Sequence, residues 1–125
     1  MTKSVLLVED EDSIAMALEY LIEPDGYAFR RVATGPAALE AIQESAPDLV
    51  LLDVMLPGCS GYEVCQSIRL DPALSHVKIL MMTAKGSEVE RRKGLALGAD
   101  AFVTKPFSSA ELKSEVRRLL ADEAA

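Results

Sequence analysis

The chain has 125 residues, half of them hydrophobic, and its 20 acidic against 13 basic side chains give a formal net charge of −7. That length is one ordinary domain, able to bury roughly two thirds of its unfolded surface without a cofactor to fold it, while the acidic balance repels nucleic acid and anionic membranes at long range and argues against direct binding to either. No run approaches the ~18 consecutive apolar residues of a membrane helix, and the opening seven residues, MTKSVLL, turn apolar too abruptly for a secretion signal, so a cytoplasmic location is expected.

Apolar strands are predicted near 4–8, 27–32, 48–52, 77–82 and 100–104, alternating with helices near 13–23, 36–46, 61–70, 87–97 and 109–120. The first helix carries Ile14, Ala17, Leu18 and Leu21 at the i, i+3, i+4, i+7 spacing of one buried stripe, and Pro24-Asp25-Gly26 stops it. Thr34 is placed to cap the second helix, with Pro36 in its first turn. Ser87 with Glu90 and Ser108 with Glu111 have the S-x-x-E spacing of a capping box on the last two helices. Gly86, Gly94 and Gly98 leave the segment 86–98 with only Val89, Leu95, Ala96 and Leu97 as apolar content, which predicts a weakly held, movable element. Strand–helix alternation with short connections requires right-handed crossovers and a parallel sheet covered on both faces, a doubly wound three-layer α/β/α sandwich. The tail 121–125 is too short for a second domain, so residues 1–125 are expected to form one domain.

Four of the apolar runs end on residues suited to phosphate or metal chemistry. The run 5–8 leads into Glu9-Asp10, 50–52 into Asp53, 79–82 into Thr83 and 101–104 into Lys105-Pro106. Ligands in open parallel α/β sheets bind just beyond the carboxyl ends of the strands, so three carboxylates, a hydroxyl and an ammonium are expected to converge there. Taken alone, Glu9-Asp10-Glu11-Asp12 reads as a solvated acidic turn; Asp53 and Lys105 after other strands turn it into a site, with Asp12 left to cap the helix. Clustered carboxylates without His or Cys ligands need a hard cation, and Mg²⁺ is the natural choice. Cys59 and Cys65 lack the spacing of a redox or zinc pair and are expected as free thiols, Cys59 on an accessible loop; His76, the single histidine, falls in a polar turn and is expected exposed.

The segments LLVEDED (6–12), PDLVLLDVMLPGCSGYEVC (47–65), ILMMTAKG (79–86) and LGADAFVTKPFSSAEL (97–112), in this order and spacing, resemble the receiver domain of two-component response regulators, the CheY-like family, from about Lys3 to Leu120. The resemblance implies a flavodoxin-like strand order 2-1-3-4-5. It also implies that Asp53 is the phosphoacceptor for a histidine kinase or phosphotransfer protein. Asp10, Asp53 and the Met55 carbonyl then ligate Mg²⁺, and Glu9 acts through metal-bound water. Thr83 and Lys105 receive the phosphoryl oxygens, Lys105–Pro106 is cis, and small Ala84 leaves room for the phosphoryl group. Phe102 is the switch aromatic that turns inward as Thr83 is drawn to the phosphoryl group. Signalling is expected through the face around residues 84–120, to a downstream protein or a homodimer through the fourth and fifth helices. In such a dimer Arg91-Arg92-Lys93 faces Glu111 or Glu115 of the second copy, although Ala101 stands where many dimerising relatives are acidic. The chain is then a switch rather than an enzyme. Two other readings remain open at this stage. A haloacid dehalogenase-like phosphatase would use Asp10-Glu11-Asp12 as its D-x-D signature with Asp10 as nucleophile, and a receiver-like interaction module would never be phosphorylated.

Overall fold

A computed structural model describes residues 2–84 and 88–121 of the chain. The near-continuous apolar runs form five strands, β1 (Ser4–Val8), β2 (Ala28–Val32), β3 (Leu49–Asp53), β4 (Lys78–Thr83) and β5 (Ala101–Thr104). They pair in parallel in the order β2-β1-β3-β4-β5. Between and after them run α1 (Asp12–Ile22), α2 (Gly35–Glu44), α3 (Gly61–Leu70), α4 (Glu88–Ala96) and α5 (Ser109–Leu120). The predicted doubly wound sandwich and its strand order are both present.

Strand side chains alternate between two cores. Leu6, Val8, Val50, Leu52, Ile79 and Met81 pack with Ala38, Ile42, Val64 and Ile68 of α2 and α3. Val5, Leu7, Leu49, Leu51, Leu80 and Met82 face Leu18, Leu112 and Val116 of α1 and α5. A strand buried on both faces can afford no polar residue until its end, which explains runs that are apolar throughout rather than alternating. The edge strand β2 is only partly covered, and it alone carries two arginines.

Side-chain caps close the N-termini of α2, α3 and α5. The hydroxyl of Thr34 accepts the Ala37 N–H at 3.1 Å, and that of Ser108 accepts the Glu111 N–H at 3.0 Å. Ser60, not anticipated, caps α3 through the Glu63 N–H at 3.2 Å. Asp12 does not cap α1: the N-cap position is Glu11, and Asp12 lies in the first turn with its carboxylate 2.8 Å from Arg31. The ion pair draws the side chain toward β2 and away from the helix N–H groups. The buried stripe of α1 is also rotated from the predicted one, with Ala15, Leu18 and Ile22 inside, Ile14 and Leu21 flanking, and Ala17 exposed. The Ser87 side of the proposed capping box and Gly86 lie outside the described residues.

In α4 the glycine read as a softener has a packing role. Gly94 is buried, and a methyl group there would lie 2.9 Å from Met81 Sδ and 3.2 Å from a Phe102 ring carbon. The helix otherwise presents little to the core, since Val89 is exposed and Leu95 only partly covered. Polar contacts tie it to α3: the Tyr62 hydroxyl donates to the Glu90 carboxylate, and Lys93 lies 4.4 Å from the centre of the Tyr62 ring. Burial and that carboxylate push the Tyr62 phenol up to about 12.

Gly61 opens α3 where the chain turns back against the end of β3. A methyl group there would meet the Asp53 carbonyl oxygen at 2.3 Å and Val54 Cα at 2.9 Å, both backbone atoms that cannot move aside independently. Alanine gains about 1 kcal/mol of helix propensity over glycine, while overpacking costs about 1–3 kcal/mol or more. With a 2.3 Å backbone contact the cost falls at the top of that range, and Gly61→Ala is expected to lower stability by about 2 kcal/mol net, read as a reduced urea midpoint with an unchanged slope.

Candidate functional site

Parallel register brings the ends of the three central strands level. Val8 pairs with Leu52 and Asp53 with Met82, so the residue after β1 stands beside the last residue of β3. Asp53 and Thr83 are the final residues of their strands and not the first of the following loops, as the sequence had placed them, because each still pairs with a neighbour, Thr83 with Thr104. That extra pairing gives both side chains a backbone fixed by the sheet.

Glu9 is held from several directions. Its N–H donates to the Val32 carbonyl at 3.1 Å, and its own carbonyl accepts both Nε and Nη2 of Arg31, at 2.9 and 2.7 Å. Its side chain is fully buried; Oε2 accepts the Glu11 N–H at 3.1 Å and Oε1 accepts Lys105 Nζ at 3.0 Å. The acidic run is split: Glu9 points inward, whereas Asp10 is exposed. Asp53, 5% exposed, accepts the Met55 N–H on Oδ1 at 3.2 Å and Lys105 Nζ on Oδ2 at 3.0 Å. One ammonium therefore bridges two buried carboxylates. Lys105 reaches them from just beyond β5, where its N–H donates to the Thr83 carbonyl at 2.6 Å and the Lys105–Pro106 peptide is cis, as the family resemblance implied. Thr83 is buried at the same end of the sheet.

Burial raises the Glu9 carboxyl above the ordinary glutamate value, and the hydrogen bond from Lys105 only partly offsets it. Burial works in the opposite sense on the Lys105 ammonium, but its hydrogen bonds to Glu9 and Asp53 prevail and hold its pKa above the usual lysine value. Carboxylate oxygens of Glu9, Asp10 and Asp53 lie within 4.8 Å of one another. Three negative groups so close, two of them buried, leave a net charge that one ammonium does not cancel. An all-oxygen donor set of this kind fits a small hard dication, with the open side at Asp10 leaving room for water ligands.

The predicted members Glu9, Asp10, Asp53, Thr83 and Lys105 thus gather at one end of the sheet, with Met55 beside Asp53 on the following loop. Phe102 is buried in the core with Met81 and Ala99, on the α2–α3 side of the sheet. Two contributors escaped the sequence reading. Arg31 carries no sequence motif; two consecutive arginines on an otherwise apolar strand are the one signal that could have found it. The Met55 N–H was invisible because a backbone donor leaves no mark in the sequence. Cys59 is half-buried, and burial raises its thiol pKa, so it lacks the thiolate character of a reactive cysteine. His76 is exposed, as expected.

Removing the bridging ammonium leaves Glu9 and Asp53 facing each other in a desolvated space. Lys105→Met is expected to cost about 2–4 kcal/mol, and adding Asp53→Asn to recover most of the loss by relieving the repulsion. Urea unfolding of both single variants and the double variant in metal-free buffer checks this cycle. An unrelieved double variant would place the cost in packing instead of charge.

Comparison with known proteins agrees with this geometry. A family model described as the response regulator receiver domain matches residues 5–117. Sensory transduction protein RegX3 of Mycobacterium tuberculosis is 47% identical over 117 residues, covering 94% of this chain and 50% of the relative; the chain spans about half the length of such curated relatives. Among solved structures, chemotaxis response regulator CheY4 of Vibrio cholerae superposes with a TM-score of 0.90 at 29% identity, covering 96% of this chain and all of that one. The receiver domain of sensor histidine kinase PA1611 from Pseudomonas aeruginosa, with a magnesium ion coordinated in its active-site cleft, gives 0.88 at 29% identity, covering 98% of this chain and all of that one. The D-x-D phosphatase reading falls with these findings, since Asp12 is engaged by Arg31 and the match runs through the whole receiver pattern. A parallel sheet in the order 2-1-3-4-5, an acidic cluster at its carboxyl end and a family match over nearly the whole chain lead to one assignment: the chain belongs to the response regulator receiver domain family.

Proposed function

We propose that Asp53 is the residue that receives the phosphoryl group, from a histidine kinase or phosphotransfer protein. The observation that carries this is the pairing of a buried Asp53, fixed as the last residue of β3, with the Lys105 ammonium at 3.0 Å. An Asp53 carboxylate oxygen attacks phosphorus in line, an acyl phosphate P–O bond forms, and the bond to the donor atom breaks with its electron pair leaving on the donor. Lys105 stabilises charge on the transferring oxygens. The Met55 N–H orients the carboxylate through Oδ1, leaving Oδ2 toward Lys105. Glu9, Asp10, Asp53 and the Met55 carbonyl are the groups that would hold Mg²⁺, which supplies charge neutralisation of the phosphoryl oxygens when bound. The PA1611 receiver, with magnesium in its cleft, supports that choice of ion.

Phosphorylation changes the side chain from about −1 to about −2 and adds strong acceptor oxygens. Those oxygens draw on Lys105 and on the Thr83 hydroxyl, while exposed Ala84 leaves the approach open. The readout face is formed by α4, β5 and α5. A cleft of about 390 Å³ lies there, lined by Arg91, Leu95, Phe102, Glu111, Glu115 and Arg118. Within α5, Arg118 already holds Glu115 at 2.9 Å, and this hydrogen bond lowers the Glu115 pKa; Glu111 is the better partner for an arginine of a second copy or of a downstream protein. The chain acts as a phosphoacceptor switch in a single domain, with only self-phosphorylation from a donor and self-dephosphorylation as chemistry. No described helix is long and apolar enough to cross a membrane, and a cytoplasmic site of action is proposed with the kinase pairing.

Incubation with acetyl phosphate and Mg²⁺ followed by peptide mass spectrometry should place one phosphoryl group on Asp53. Asp53→Asn and excess EDTA should each abolish it; normal labelling of Asp53→Asn would move the acceptor elsewhere, and labelling in EDTA would remove the metal. Thr83→Ala should still accept the group, yet show smaller amide NMR shifts at Phe102 and α4 when beryllofluoride is added. Equal shifts in wild type and variant would disconnect the hydroxyl from the readout face.

A further inference from the structure

Arg31 makes contacts with the acidic loop that the assigned chemistry does not use. It projects from β2, where its Cα pairs with Leu7 of β1. Its Nε and Nη2 converge on the carbonyl oxygen of Glu9 at 2.9 and 2.7 Å, and Nη1 reaches Asp12 Oδ1 at 2.8 Å. The guanidinium therefore grips the loop on both sides of Asp10, once through the backbone and once through a side chain. The Glu9 carbonyl belongs to the same planar unit as the Asp10 nitrogen. Fixing that oxygen with two donors fixes the plane from which the Asp10 chain departs. Glu9 has its own restraints, through Val32, Glu11 and Lys105. Asp10 is the exposed member of the three-carboxylate cluster.

We propose that Arg31 is a positioning residue for the divalent cation, holding the Glu9–Asp10 peptide so that the Asp10 carboxylate stands ready beside Asp53. This inference rests on the reading of Glu9, Asp10 and Asp53 as an Mg²⁺ site. Charge alone points the other way. A guanidinium bound to the Glu9–Asp10 backbone repels a dication held by the neighbouring carboxylates, so an arginine acting only through its charge would weaken Mg²⁺ binding, and its removal would strengthen it. Positioning and charge therefore predict opposite signs for one substitution. Lysine keeps the charge but has a single nitrogen at the end of a flexible stem, which cannot span the Glu9 carbonyl and Asp12 with a rigid fork.

The test is Mg²⁺ titration of the unphosphorylated protein, followed through the amide NMR signals of Asp10 and Met55, for wild type, Arg31→Ala and Arg31→Lys. Loss of a group that orients a metal ligand typically weakens affinity about 10–100-fold; Arg31→Ala is expected to raise the Mg²⁺ dissociation constant about tenfold, and Arg31→Lys several-fold. Unchanged amide positions outside the β1–α1 loop and β2 show that the variants keep the fold, and should Arg31→Ala not fold, Arg31→Lys decides alone. Wild-type affinity in Arg31→Lys, or unchanged or tighter binding in Arg31→Ala, overturns the positioning role while leaving the metal site intact. Absence of Mg²⁺-dependent shifts in wild type overturns the metal reading and this inference together.

Discussion

One ammonium organises the functional end of this molecule. Lys105 Nζ lies 3.0 Å from a buried carboxylate oxygen of Glu9 and equally far from one of Asp53. The three residues come from the two ends and the middle of the sequence, and their meeting closes the carboxyl end of the sheet with charge inside it. Burying two carboxylates is tolerable because the ammonium lies between them and backbone N–H groups of Glu11 and Met55 satisfy their other oxygens. The arrangement remains short of positive charge, since Asp10 adds a third carboxylate. This uncancelled negative charge is what fits the cluster to a small hard dication.

The sheet supplies the geometry that lets a single lysine do this. With β1 and β3 adjacent, α1 packs on one face and α3 on the other, so the loops leaving those strands part and a crevice opens between them. Glu9 and Asp10 stand on one side of it and Asp53 on the other. Lys105 arrives two strands away by way of β5, with its backbone tied to Thr83. Arg31 restrains the first loop, and Gly61 lets α3 press against the backbone of Asp53 on the other side.

Toward α4, β5 and α5 the packing changes character. α4 touches the core chiefly through the missing side chain of Gly94, against Met81 and Phe102, and is otherwise held by Tyr62 through Glu90 and Lys93. An element with few buried apolar contacts opens or shifts at low free-energy cost. Its neighbour Phe102 shares a strand with the residues that lead to Lys105, so a change in the charge near Lys105 has a short physical path to this helix.

The sequence by itself determined the fold class and which polar side chains gather where the strands end. Runs apolar on every residue mean strands covered on both faces, a parallel sheet follows, and functional groups then have to sit where each run ends; Glu9, Asp10, Asp53, Thr83 and Lys105 were all legible on that basis. Local capping by Thr34 and Ser108 was legible too, because such bonds span only three residues. Only the tertiary structure decided which carboxylates are buried, since Glu9 and Asp10 are neighbours in the chain yet face opposite environments. It also decided that Asp12 pairs with Arg31 instead of capping α1, and that Gly94 is a contact and not merely a weak point. Each of these depends on what a distant segment places alongside: burial, charge pairing and the room for a methyl group are set by the neighbours across the sheet, and no local pattern in the chain encodes their distance.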